Sequence, residues 1–237
     1  MTRLNSVSSI FGIVLIILNS IVILQFGLLE SRWLRIFTYF FFGILFFKDI
    51  QKDQYYLIAA FLVVVISDYL FICHSRIDLE NSKMILGGIS YIALVLHLRR
   101  YVKILFINYF QTMLFILVLA LNAVMFYLLF EIISVADHNP MPSIIFILFS
   151  IALFCLMVFT FYFNSMYENK SSRILIIATL LLVGSDLTLI ISSFTNSGSF
   201  YDLYGILFLI GIGSLVKFTS LDSRVIPYNS EEIQKTT

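Results

Sequence analysis

The sequence predicts an all-α, polytopic membrane bundle of eight transmembrane helices, and three observations carry that prediction. Hydrophobic residues make up 60% of the 237 and charged residues only 12%, where a soluble domain is roughly half apolar and a quarter charged. Mean hydropathy is +1.00, which excludes both a water-soluble globule and a disordered chain. The apolar runs are also long and do not alternate. Phe11-Gly-Ile-Val-Leu-Ile-Ile-Leu18 is unlike the alternating strands of an outer-membrane barrel, and with only three prolines and ten glycines long helices stay uninterrupted.

A helix that crosses the hydrocarbon needs about 20 mostly apolar residues. Such runs occur at approximately 9–29, 33–47, 55–73, 84–98, 111–134, 143–163, 173–194 and 203–219, followed by a short solvated tail at 224–237. The first is too long for the apolar core of a signal peptide and lacks a small-x-small cleavage site, so it reads as a membrane helix. With eight spans, 11 of the 15 Lys and Arg side chains fall on the side of the two termini and four, Arg32, Arg35, Arg76 and Lys83, on the other. The positive-inside rule then puts both termini in the cytoplasm, in a cytoplasmic (inner) membrane. Trp33, Tyr55, Tyr56, Tyr101, Tyr109, Tyr201 and Tyr204 stand near span ends and are expected to form an interfacial belt.

Several functions are excluded early. A net charge of +1 gives no basic excess for nucleic acid. His74, His97 and His138 fall in three separate places, and no metal-ligand spacing, G-x-S-x-G elbow or Gly-rich phosphate loop occurs. No metal and no cofactor is expected. Asn19, Gln25, Thr38, Gln111, Asn122, Ser150 and Thr160 are single polar residues inside spans, best read as hydrogen bonds between helices. Arg35 opens the second span. Snorkelling to the interface is its ordinary role, and reaching a phosphate as a planar fork is the sharper one.

One dipeptide recurs in matching context. The third span reads Val64-Val-Ile-Ser-Asp-Tyr-Leu70 and the seventh Val183-Gly-Ser-Asp-Leu-Thr-Leu189. Asp68 and Asp186 are 118 residues apart, half the chain, and each lies 13 residues after the polar start of its run, at Tyr55 and Arg173. At 1.5 Å per residue each is about 20 Å along its helix, at a common depth slightly beyond the midplane. The pattern predicts a parallel repeat of two four-helix halves.

A carboxylate at the centre of a membrane helix costs about 2.5–3.5 kcal/mol, so the default reading of Asp68 and Asp186 is a function that needs their charge or proton. Two carboxyls facing one cavity divide the work. Low dielectric and mutual repulsion keep a proton on one while the other stays ionised. An acid beside a base or cation stabiliser suits an acid-labile ether, whose cleavage passes through an oxocarbenium-like state. The same pair suits a proton-coupled carrier or a lipid-binding protein without hydrolytic activity, and a purely structural pair is the third alternative.

The stretch Ile177-Ala-Thr-Leu-Leu-Leu-Val-Gly-Ser-Asp-Leu-Thr-Leu-Ile-Ile-Ser-Ser-Phe194 resembles the seventh-helix motif of the YhhN family, the lysoplasmalogenase-like membrane proteins. Ala59-Ala-Phe-Leu-Val-Val-Val-Ile-Ser-Asp-Tyr-Leu70 resembles that family's third-helix motif, with Ser67 where glycine is usual. The fourth span departs from the family pattern, with Tyr91 followed by Val95 and His97 two places late. The last span, with Phe208-Leu-Ile-Gly-Ile-Gly213 in place of a Tyr-Tyr-x-x-Gln segment, departs too. The resemblance implies hydrolysis of the vinyl ether bond of a lyso-phospholipid, with Asp68 and Asp186 as the catalytic pair. It places Arg35, Tyr39, Ser67, Tyr91, Ser185 and Thr188 as candidate substrate contacts and a membrane lipid as the partner, and leaves the oligomeric state open.

Overall fold

Unbranched and β-branched apolar runs without proline can satisfy their backbone polar groups in lipid only by forming helices or closed barrels, and here they form helices. The computed structural model describes residues 2–27, 31–50, 54–74, 78–101, 113, 116, 120, 127, 140–195 and 198–225. The helices are α1 (Thr2–Phe26), α2 (Arg32–Asp49), α3 (Tyr55–His74), α4 (Asp78–Arg99), α5 (Pro140–Tyr167), α6 (Lys170–Thr195) and α7 (Gly198–Val225). Among the described residues there is no strand. Of the fifth predicted span, 111–134, only Met113, Ile116, Ala120 and Tyr127 are described, all four helical. The rest of that span, with Gln111 and Asn122, lies outside the described residues, as do Tyr109, His138 and most of the predicted tail.

Four segments are long and apolar enough to cross a membrane: Asn81–Arg99, Met141–Tyr167, Lys170–Ser192 and Gly198–Leu221. Ile10–Phe26 and Tyr55–Leu70 are shorter apolar helices. Their outer faces are greasy, with Leu24 and Phe40 each 69% exposed and Leu148 at 63%, while the interior holds Asp68, Arg35 and Lys83. A soluble protein hides its large apolar side chains and exposes its charges. The reverse distribution suits a helical membrane protein.

Sequential neighbours pack against one another from α1 through α4, α5 follows α4, and α6 follows α5. The last helix, α7, packs on α6 and returns to α1 and α2, closing a ring. Each helix turns one stripe inward. In α2 it is Ser31, Arg35, Thr38/Tyr39, Phe42 and Phe46. In α6 it is Leu175, Ala178/Thr179, Leu182/Val183, Asp186 and Leu189/Ile190. That is the three-to-four spacing of one helix face. Phe46 stacks on Phe61 of α3 at 4.1 Å between ring centres. Where Gly211 of α7 faces Leu182 of α6 a side chain would not fit: a Cβ on Gly211 would meet Leu182 side-chain atoms at 3.0 Å and the Leu182 backbone nitrogen at 3.3 Å.

The α5–α6 connection is fixed by a reciprocal cap. Asn169 Oδ1 accepts from the Ser172 amide at 2.8 Å, and Ser172 Oγ accepts from the Asn169 amide at 3.1 Å. The α1–α2 turn uses Gly27 at φ +84°, a conformation open to glycine. Two of the anticipated interhelical hydrogen bonds are present: Asn19 Nδ2 donates to Thr38 Oγ1 at 2.7 Å, and the Thr160 and Thr179 hydroxyls lie 3.1 Å apart. Ser150 instead donates to the Phe146 carbonyl of its own helix, and Gln25 is exposed.

The start of α4 departs from the predicted span limit by six residues, as the start of α1 does by seven and the end of α7 by six. The apolar run begins at 84, yet the helix begins at Asp78. Its first turn carries Asp78 and Glu80, and negative charge there is favoured by the helix dipole. The earlier start moves Lys83 from a connection into a helix.

Candidate functional site

The inward stripes of five helices bring seven polar side chains together: Arg35 and Tyr39 from α2, Asp68 from α3, Lys83 and Tyr91 from α4, Asp186 from α6 and Tyr204 from α7. Each is at most 6% exposed. Asp68 and Asp186 both stand about two-thirds of the way along their helices. Asp68 is 13 residues from the start of α3 and Asp186 16 from the start of α6.

Asp68 is the hub. Its Oδ2 accepts from Arg35 Nη2 at 2.7 Å and from the Tyr39 hydroxyl. Its Oδ1 accepts from the Tyr204 hydroxyl and is ion-paired with Lys83 Nζ at 3.6 Å. The tyrosines act as relays between the charges. Tyr39 accepts from Arg35 Nη2 at 2.9 Å while donating to Asp68, and Tyr204 accepts from Lys83 while donating to Asp68. Lys83 Nζ also lies 3.6 Å from the centre of the Tyr204 ring and 5.2 Å from that of Phe208, where the ring faces attract a cation. A buried charge cluster persists only where its members are paired and their remaining donors and acceptors occupied. Around Asp68 that condition is met on both oxygens.

Asp186 has a different setting. Its Oδ2 accepts from the Tyr91 hydroxyl. Among the described residues no hydrogen bond reaches its Oδ1. Tyr91 is held in turn by Phe149 of α5, with ring centres 5.9 Å apart. The two aspartates share no hydrogen bond, but they lie within electrostatic reach of each other, and Lys83 feels both carboxylates.

Of the residues singled out from sequence, Asp68, Asp186, Arg35, Tyr39 and Tyr91 are thus assembled in one cluster. Arg35 does not snorkel: it is fully buried, because Asp68 offers a nearer counter-charge than the interface does. The hydroxyls of the other three predicted contacts turn to backbone carbonyls. Ser67 Oγ donates to the Lys83 carbonyl at 3.4 Å, Ser185 Oγ to that of Leu182 at 2.6 Å, and Thr188 Oγ1 to that of Ser185 at 2.7 Å.

Two members of the cluster were not anticipated. Tyr204 was expected in the interfacial belt, but it is fully buried, whereas Trp33 (72%) and Tyr55 (53%) are exposed. Lys83 was expected in a connection. The signal for both is the inward stripe itself. Lys83, Gly87, Ser90/Tyr91, Leu94 and His97/Leu98 share one face of α4, and Tyr204, Phe208, Ile212, Leu215 and Thr219 share one face of α7. Followed back to the start of each apolar run, the stripe reaches the polar residue. Among the described residues no group of three or more His, Cys, Asp or Glu side chains converges as metal ligands would.

Compared with protein-family models, curated proteins and solved structures, the chain matches none.

Proposed function

We propose that this chain is an integral membrane hydrolase that cleaves the vinyl ether bond of a lyso-ether phospholipid by carboxylate acid–base catalysis. The substrate class comes from the resemblance of its two Ser-Asp segments to the YhhN family. The observation that carries the chemistry is the unequal setting of the two aspartates in one buried cluster. Asp68 has both oxygens engaged by cations and hydroxyls, so it serves as a fixed anion that positions its neighbours. Asp186, with Oδ1 open, is the group that moves a proton.

In the proposed reaction the Asp186 carboxylic acid protonates the outer alkenyl carbon, and the ether oxygen shares its lone pair to form an oxocarbenium ion. Water adds to the carbon bonded to that oxygen and returns a proton to the Asp186 carboxylate. The hemiacetal then collapses, its hydroxyl proton passing to the departing glycerol oxygen. One vinyl ether and one water become a fatty aldehyde and an alcohol, and Asp186 ends as it began. Tyr91 orients the carboxyl through Oδ2.

We propose the full topology as eight spans, the fifth at 111–134, with both termini cytoplasmic in an inner membrane. Burial of Arg35 and Lys83 supports this. Neither counts as a loop charge, so the 11 cations of one side face only Arg32 and Arg76 on the other. The parallel repeat rests on the matched Ser-Asp dipeptides, whose partners have diverged between the halves.

The test is aldehyde release from an alkenyl lysophospholipid by the purified full chain in neutral detergent. Turnover by the wild type, and its fall by about 100- to 10,000-fold in Asp186→Asn with the melting temperature retained, is the expected result. No aldehyde from the wild type overturns the hydrolase. Proton-dependent lipid movement in vesicles would then mark a carrier.

A further inference from the structure

One feature of the cluster is not used by the proton transfer above. Arg35 is fully buried, and among the described residues its Nη1 has no hydrogen-bond partner although Nη2 and Nε are engaged. A buried guanidinium nitrogen left unmade is costly, and such atoms call for an explanation. The charges give a second indication. Arg35 and Lys83 bring two positive charges to one Asp68. When Asp186 holds the proton that an acid must deliver, the cluster carries one positive charge in excess, in a setting where uncompensated charge is unfavourable.

The position gives a third. Arg35 is three residues from the start of α2, Lys83 five from the start of α4 and Tyr204 six from the start of α7. The α2 start, the α4 start and the α7 start lie at the same end of the antiparallel bundle, so the two cations sit within about 10 Å of the helix ends there. At that level of a bilayer the abundant anions are lipid phosphates.

We propose that Arg35, through Nη1, and Lys83 form an anion subsite that takes a phosphate group carrying a single negative charge, the phosphodiester of a single-chain lipid head group. Asp68 positions the two cations, and Tyr39 and Tyr204 keep them apart by bridging each to a different carboxylate oxygen. A guanidinium presents its nitrogens as a planar fork. With Nη2 turned to Asp68, Nη1 is left for a second, tetrahedral anion. The occupant's charge balances the site while Asp186 is protonated. The inference rests on the reading of the site given above for the lipid that carries the phosphate, but not for its cleavage.

The test is binding, by thermal-shift titration of the full chain in neutral maltoside detergent. The probes are palmitoyl lysophosphatidylethanolamine, 1-palmitoylglycerol with the same chain and no phosphate, and inorganic phosphate. Both lipids lack a vinyl ether, so failure of the hydrolase reading leaves this result readable. The phospholipid is expected to bind about 10- to 100-fold more tightly than the glyceride. Arg35→Lys, which keeps the ion pair with Asp68 but removes the fork, is expected to lose most of that preference, and Lys83→Gln a smaller part. Saturable, Arg35-dependent binding of inorganic phosphate alone at the same concentrations supports the subsite with free phosphate as its occupant. Equal affinity for the two lipids without binding of phosphate overturns it. So does a preference undiminished in both variants.

Discussion

Asp68 and Asp186 each follow a serine, each stand two-thirds of the way along an apolar helix, and each are buried. Their surroundings differ in what they leave undone. Asp68 meets two cations and two tyrosine hydroxyls, and both its oxygens are engaged. Among the described residues, Asp186 accepts a hydrogen bond from one tyrosine, on one oxygen. A charge inside a helix bundle therefore has two uses that sequence alone does not separate. It assembles its neighbours when its acceptor capacity is filled, and it handles protons or ligands when some of that capacity is left over. Lys83 lies between the two, paired with Asp68 and within reach of Asp186.

The comparison is broken most forcefully by removing a partner of the filled carboxylate. Arg35→Met leaves Asp68 without its closest counter-charge and is expected to lower stability by about 3–5 kcal/mol, read from chemical or thermal unfolding in detergent. The triple substitution Arg35→Met/Asp68→Leu/Lys83→Met, which empties the cluster of its paired charges, should recover most of that loss, since apolar replacement of a whole buried ionic group is often neutral or stabilising. A triple variant no more stable than Arg35→Met would mean that the cluster is not an ionic assembly.

The tyrosines sharpen the contrast at smaller scale. Tyr204→Phe removes a hydroxyl that both accepts from Lys83 and donates to Asp68, with an expected loss of about 1–2 kcal/mol. Tyr91→Phe removes a single donor to Asp186 and should cost about 1 kcal/mol or less, while slowing turnover. Unfolding curves for the two variants should rank in that order. At the bottom of the scale, Thr160→Val breaks a hydrogen bond to Thr179 outside the cluster. It is expected to cost about 0.6 kcal/mol, the average for interhelical hydrogen bonds within a membrane.

Much of this arrangement is legible in the sequence, for physical reasons that also set the limits. Hydropathy marks apolar runs, so α2, α3, α5 and α6 fall on the predicted runs within about a turn, while α1 starts seven residues early and α7 overruns its run by five residues at its start and six at its end. Asp68 and Asp186 stand out because nothing in local propensity asks for a carboxylate there. Lys83 and Tyr204 do not stand out. Lys83 lies just before its apolar run and Tyr204 at the very start of its own, where an ordinary snorkelling lysine or belt tyrosine also occurs, and only the tertiary approach of α4 and α7 to α3 separates the two cases. Pairing is a further step removed. Arg35 carries the same local signature whether it reaches water or Asp68, and the choice is made by a helix 33 residues away. Ser67, Ser185 and Thr188 are a third case: their hydroxyls donate to backbone carbonyls, Ser67 across to Lys83 of α4 and the other two within α6, a preference that the sequence does not display.

In the proposed reading one aspartate builds the site while the other works in it. Melting temperatures of Asp68→Asn and Asp186→Asn, taken side by side in one neutral detergent, test that claim most directly. Asp68→Asn should melt far below the wild type, because Arg35 and Lys83 lose the anion that holds them, and Asp186→Asn should melt close to it. Equal losses, or the larger loss at Asp186, would contradict it.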